Sequence, residues 1–133
     1  VSKPFDMIEI KNSHESFNAS GRNSYKCFES LIGRYGMYVF ECKNTGDIFY
    51  VGEAHDQDLK DRITQNYTED DSGGTFRDNW LGHSNNTGKS FDDFEKFLEN
   101  CTIKTISINS IQKYAIIAIE SMMVLMLNPI YNK

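Results

Sequence analysis

No stretch of this chain is apolar for long enough to cross a bilayer. The most hydrophobic segment, 114–127, is shorter than the roughly 20 residues a spanning helix needs, and it carries Glu120 at its middle. Nothing at the N-terminus resembles a secretion signal, because Lys3, Asp6 and Glu9 interrupt the apolar residues there. Cytoplasmic placement is the expectation that follows. Cysteine and histidine are scarce, at three each, and neither type clusters. Cys27, Cys42 and Cys101 are odd in number and widely spaced, which argues against a small disulfide framework and for reduced thiols. His14, His55 and His83 are equally scattered, so zinc-ligand spacing is absent. No internal repeat and no basic tail is visible in these residues, and a single domain is the expectation.

Positive charge is also short. Fourteen Lys and Arg against nineteen Asp and Glu leave a net charge of −5, whereas binding to nucleic acid normally needs a basic face. The deficit is local. Residues 68–100 hold eight acidic side chains against Arg77, Lys89 and Lys96, which accounts for the whole imbalance. The remainder is neutral and leaves room for a local basic face.

What is present suits one soluble domain. The 133 residues, 39% hydrophobic and 25% charged, can bury a single core, and nine Phe and seven Tyr help to fill it. Phe5–Ile10 reads as a short strand, followed by a polar loop from Lys11 to Ser24. Tyr25–Ile32 reads as a short helix or turn stopped by Gly33. Gly36–Cys42 and Asp47–Glu53 are rich in aromatic and β-branched residues and flank Asn44-Thr45-Gly46, a hairpin signal with glycine in the left-handed position. A helix over 57–67 follows, with Asp56 as its N-cap and Leu59, Ile63 and Tyr67 on one stripe. Residues 68–89 are polar, with one helical turn at Phe76–Leu81. Ser90 and Asp93 form a capping box for Phe91–Asn100, whose Phe91, Phe94 and Leu98 face inward. Cys101–Ile108 is a third strand, and Asn109 or Ser110 caps a last helix from Ile111 to Leu127, stopped by Asn128-Pro129. This order predicts an α+β domain: a small, three-stranded antiparallel sheet flanked by helices. The boundaries expected are an N-terminal arm over 1–35 and a core over 36–132, with 68–100 as a longer polar segment.

Three features point to chemistry. In the expected hairpin Tyr38 lies opposite Gly52 and Tyr50 opposite Phe40, all on one face. The two phenols are then diagonal neighbours, roughly 7–8 Å apart at Cβ. Gly52 leaves space beside the Tyr38 ring in which a phosphate could sit; two aromatics packing on a core is the plainer reading. Glu120 is the only acid in the last helix, the one charge between Tyr114 and Leu127, and shares a stripe with Ile116, Met123 and Leu127. A carboxylate placed there wants a cation, which could be a metal ion, Arg62, or both. Arg62, at the edge of the Leu59/Ile63 face, offers a planar fork suited to phosphate oxygens.

Together Gly36-Met37-Tyr38, Tyr50-Val51-Gly52, Arg62, Glu120 and Pro129-Ile130-Tyr131-Asn132 resemble the GIY-YIG nuclease domain, from about Gly36 to Asn132. The tail is most similar to the N-terminal nuclease domain of bacterial excision-repair endonucleases and its eukaryotic structure-specific relatives. The resemblance implies a divalent-metal-dependent endonuclease that hydrolyses DNA. Glu120 would bind one Mg²⁺, or Mn²⁺ in its place, and Arg62 would contact the scissile phosphate. Tyr38 would orient or deprotonate the attacking water, Tyr50 would support it, and Asn132 would fix local geometry. Gly36 and Gly52 would be structural, and no small-molecule cofactor is implied.

The chain also departs from the family. Asn66 stands where many relatives carry His or Tyr, and Asn cannot be a general base, so that role shifts to Tyr38 or a metal-bound water. Lys60 and Arg77 are the cations expected against nucleic-acid phosphates. The stretch 73–77 reads either as backbone N–H groups on a phosphate or as a surface loop, and Trp80 either packs or stacks on a base. The alternative to an enzyme is a catalytically weak nucleic-acid- or protein-binding module on the same fold. RNA stays open as a substrate. Specificity would come from the arm, residues 68–100, a homodimer or an accessory protein.

Overall fold

The computed structural model describes residues 15–18, 23–108 and 113–132. Its sheet consists of β1 (Glu15–Asn18), β2 (Tyr35–Cys42), β3 (Ile48–Ala54) and β4 (Cys101–Ile108), in the spatial order β1-β4-β2-β3 with every neighbour antiparallel. The helices are α1 (Leu59–Thr64), α2 (Thr75–Gly82), α3 (Phe91–Leu98) and α4 (Lys113–Leu127), with 3-10 segments at Asn23–Leu31, Gln65–Tyr67 and Ser84–Asn86. The expected three strands are therefore the body of an α+β domain. A fourth, β1, adds to them from the segment read as a polar loop. Its Glu-Ser-Phe-Asn sequence has no apolar alternation, because it borders the sheet and is held by pairing with β4. The expected strand over Phe5–Ile10 lies outside the described residues.

The hairpin register follows the reading from the sequence up to its last pair. Tyr38 is opposite Gly52 and Phe40 opposite Tyr50, but Glu41 then pairs with Ile48, leaving Phe49 as an extra, bulged residue. The bulge brings the Phe49 ring to 4.7 Å from Phe97, into the cluster that Tyr50 occupies. The turn is correspondingly one residue longer. Cys42 N donates to Asp47 O at 2.8 Å, Gly46 N donates to Cys42 O at 2.9 Å, and Gly46 has φ +76°, the left-handed geometry foreseen for it. Lys43, expected to face Asp47, instead donates its N–H to Asn100 O.

The two faces of the sheet carry different layers. Tyr38, Phe40, Tyr50 and Ile103 pack under α1–α3 with Leu59, Ile63, Trp80, Phe94 and Leu98. Phe76 is the hub, 4.8 Å from Phe40, stacked on Tyr50 at 5.0 Å and 5.2 Å from Phe94. Such aromatic pairs add about 0.5–1.5 kcal/mol each beyond burial. Met37, Ile106 and Ile108 face the other way, against Ile116, Ile119 and Met123 of α4. Leu127, expected to share the inward stripe, is instead exposed, and Asn128 ends the helix at φ 47° before Pro129. The cap expected at Asn109 or Ser110, and the start at Ile111, lie outside the described residues. Among the described residues no helix is long and apolar enough to cross a membrane.

Local capping sets the positions of α1 and α3. The Ser90–Asp93 capping box forms as foreseen. Helix α1 begins later than expected, because Asp58, not Asp56, is its N-cap. One Asp58 oxygen accepts Asp61 N and the other accepts Gly33 N, both at 2.9 Å, which ties the helix to the turn before β2. Leu59, Ile63 and Tyr67 are all buried, with the last turn tightened to 3-10 geometry.

Strand β3 lies at the border of the sheet, where unpaired backbone groups would invite a foreign strand. The C-terminal segment occupies that border. Tyr131 N donates to Phe49 O at 2.8 Å, while the Asn132 amide accepts from Val51 N at 2.9 Å and donates to Val51 O at 2.8 Å. Two residues further on, Arg62 Nε donates to Glu53 O at 3.4 Å.

Candidate active site

Tyr50 and Gly52 on β3, Tyr38 across it, and Arg62 and Asn132 bonded to its backbone lie along that border. Of the expected site residues, however, only Arg62 lines the neighbouring cleft; Tyr38, Tyr50, Glu120 and Asn132 do not. Tyr38 projects from β2 across β3. A Cβ built on Gly52 would lie 2.2 Å from Tyr38 Cζ and 2.4 Å from its Oη. The space foreseen beside the ring for a phosphate is thus filled by the ring itself, and Gly52 is required because the phenol passes over it. Gly36 is required too: its φ is +153°, and a Cβ there would lie 2.0 Å from Ile106 O on β4. The Tyr38 and Tyr50 rings are 6.2 Å apart between centroids.

Burial dominates the chemistry of both phenols. Tyr38 is 1% exposed, and burial, then the neighbouring Tyr50, push its pKa far up; Arg62 opposes the rise, while Glu53 and Glu120 add to it. Tyr50 is pushed up to about 12, by burial first, against the pull of Arg62 and a hydrogen bond with Thr75. A phenol in that state keeps its proton at neutral pH. Tyr38 can therefore orient a ligand or water by donating a hydrogen bond, and the expected alternative role of deprotonating water does not suit it.

Arg62 and Glu120 approach from opposite sides. Arg62 reaches past α1, with Nη1 donating to Gln65 Oε1 at 3.1 Å. Glu120 is half-buried on α4, and burial, then Glu53, raise its pKa. Glu53 is opposite Met37, on the side of the sheet that α4 covers. Among the described residues neither Arg62 nor Glu120 forms an ion pair, so the Glu120–Arg62 bridge weighed from the sequence is not made. Glu120 is therefore a half-buried acid with a second carboxylate near it and no ion-pair partner among the described residues, whereas Glu53 is engaged by His55 at 2.6 Å. No group of three or more His, Cys, Asp or Glu side chains that could hold a metal occurs among the described residues.

Beside Arg62 opens a cleft of about 400 Å³, lined in part by Glu53, His55, Asp56, Arg62 and Gln65. Glu53 and His55 were passed over in the sequence, although strand alternation beyond Tyr50-Val51-Gly52 puts them two apart on one side. His55 Nδ1 lies 2.6 Å from Glu53 Oε2, and its Nε2 lies 3.0 Å from Asp56 Oδ2. The imidazole is thereby held at the mouth of the cleft.

Other expected residues stand elsewhere. Arg77, foreseen against a phosphate, is 2% exposed. Its guanidinium donates to the carbonyls of Gln65, Thr68 and Asp71 and pairs with Asp78, so it organises the 65–78 segment from within. A Cβ at Gly74 would lie 2.6 Å from that guanidinium, so the glycine makes way for Arg77. Asn66 is buried and accepts Arg77 N at 3.1 Å, a structural use that leaves it away from any proton transfer. Trp80 is buried in the core with Phe94 and Phe97, so packing is its role. Lys60 is half-buried on α1 and does not line the cleft. The chain matches no protein-family model, no curated protein and no solved structure.

Proposed function

We propose that this domain is an endonuclease hydrolysing phosphodiester bonds in DNA, with a divalent ion, Mg²⁺ or Mn²⁺, held by Glu120 with Glu53 beside it. What supports this reading is the geometry at the β3 border: the Tyr38 phenol crosses Gly52, Asn132 holds the Val51 peptide, and the Arg62 guanidinium donates to Glu53 O two residues on. A packing cluster has no need of a guanidinium and a half-buried acid that, among the described residues, form no ion pair.

In this scheme Arg62 binds a non-bridging phosphate oxygen and stabilises the charge that develops there. Tyr38 donates a hydrogen bond that orients the attacking water or the phosphate, and Tyr50 supports it. His55 lies at the same cleft with both ring nitrogens donating to carboxylates, Glu53 and Asp56, so it keeps no free lone pair for a water proton and serves to hold those two acids in place. When bound, the ion would supply charge neutralisation at the leaving oxygen. Asn132 keeps the Val51 peptide, and with it Gly52 and the ring above, in place. DNA is the expected partner, RNA remains an alternative substrate, and a homodimer or accessory protein would supply specificity.

A second reading, a binding module without turnover, is favoured by the near-complete burial of Tyr38. Nicking of supercoiled plasmid with and without Mg²⁺ separates the two. Wild type should nick only with the ion, while Glu120→Ala should fail at an unchanged thermal transition. Equal nicking by the variant, or none by wild type over a range of DNA substrates, would remove the enzymatic reading.

A further inference from the structure

We propose that Cys42 and Cys101 are a redox pair that closes to a cross-strand disulfide when the protein meets a peroxide. The two are far apart in sequence, but the β2–β4 register sets them directly opposite one another, so both side chains leave the same face. The kind of pairing matters. Cys42 commits its N–H to Asp47 O and its carbonyl to Gly46 N, both on the hairpin side, so it exchanges no bonds with Cys101. A directly opposite pair of this non-hydrogen-bonded type has Cα atoms about 4.5 Å apart and side chains leaning together. That lies within the roughly 4.4–6.8 Å that a disulfide spans.

The two thiols also differ in the way a redox pair requires. Cys42 is partly exposed at the end of its strand. The Thr45 side chain, then the backbone N–H groups of Thr45 and Asn44, hold its thiol below the usual range. The hairpin turn thus wraps donors around the sulfur and favours the nucleophilic thiolate. Cys101 is buried; burial pushes it up to about 12, and its Sγ–H donates to Phe97 O at 3.5 Å. It is therefore shielded from oxidant but placed to attack its neighbour.

The chemistry balances. The Cys42 thiolate attacks one peroxide oxygen and the O–O bond breaks. The sulfur becomes a sulfenic acid, and the departing oxygen leaves as water after taking a proton. Cys101 sulfur then attacks Cys42 sulfur and displaces hydroxide, which takes the Cys101 proton and leaves as a second water. Two thiols are oxidised by two electrons, and one peroxide is reduced to two waters.

The bridge is independent of the proposed hydrolysis, and its test uses the intact protein. Wild type is treated with equimolar hydrogen peroxide, quenched, denatured, and its thiols counted; peptides are then mapped without reduction. The three thiols should fall to one, with a linked peptide pair containing residues 42 and 101, lighter by two hydrogen atoms and separated by dithiothreitol. The variant Cys27→Ser should form the same link, whereas Cys42→Ser should leave Cys101 unmodified. Sulfinic or sulfonic acid at Cys42 without a link would overturn the proposal. So would loss of Cys27 alone, or a covalent dimer as the main product. Mapping of wild type decides the matter even if a variant folds poorly.

Discussion

Replacing Gly52 with alanine adds one methyl group and tests the central geometric claim. That carbon would sit 2.2 Å from Tyr38 Cζ and 2.7 Å from Cε1, well inside contact distance. The ring cannot retreat freely, since Tyr38 is 1% exposed and packs edge-on against Phe40 at 6.0 Å. Overpacking of this kind costs about 1–3 kcal/mol, which for a domain of this size lowers the thermal midpoint by about 4–12 °C. Backbone strain does not contribute, because Gly52 has no left-handed φ; Gly46, with φ +76° and nothing near its Cβ position, supplies the contrast. The assay is a double-mutant cycle by thermal or urea unfolding. In a Tyr38→Phe background the ring remains and Gly52→Ala should cost as much as in wild type. In a Tyr38→Ala background the obstacle is gone and the added methyl should cost nothing or recover some stability. If Gly52→Ala costs the same in all three backgrounds, the ring does not cross Gly52. The account of Tyr38 then fails, and with it the placement of the phenol at the β3 border.

Three further outcomes follow from the site. Arg77→Ala should lose about 2–4 kcal/mol in urea unfolding, since the part-buried carbonyls of Gln65, Thr68 and Asp71 lose a charged donor from a buried side chain; unchanged stability with weakened DNA binding would instead mark a phosphate contact. Glu120 has a raised folded-state pKa, so the folded protein holds its proton more tightly and stability declines as pH rises above about 4.3, the value of a free Glu. Glu120→Gln should therefore flatten that decline and melt no lower than wild type near neutral pH, and a clearly lower midpoint would contradict its lack of a partner. Asn132→Ala removes both bonds to Val51 and should cost about 1–3 kcal/mol while abolishing nicking; full activity in the variant would separate the tail from the site.

Much of the framework was legible because it is written in short-range patterns. Asn44-Thr45-Gly46 sets the hairpin and its register as far as Phe40, Ser90 with Asp93 starts α3, and the spacing of Leu59, Ile63 and Tyr67 marks the inner side of α1. The errors arose where a distant partner intervenes. Phe49 bulges because Phe97 offers its ring a place, and Asp58 caps α1 while also holding Gly33. The polar strand Glu15–Asn18 exists only because β4 offers it an edge.

Sequence alone determined the hairpin, the capped start of α3 and the pairing of Tyr38 with Gly52, since these depend on spacing and side-chain type. Tertiary structure alone decided that the Tyr38 ring fills the space above Gly52, and that Arg77 turns inward while Arg62 stays at the cleft. It likewise brought His55 to Glu53 at that cleft and set Cys42 against Cys101. Those outcomes depend on side-chain directions and on contacts between distant segments, which burial, donors and available volume select only once the chain has folded.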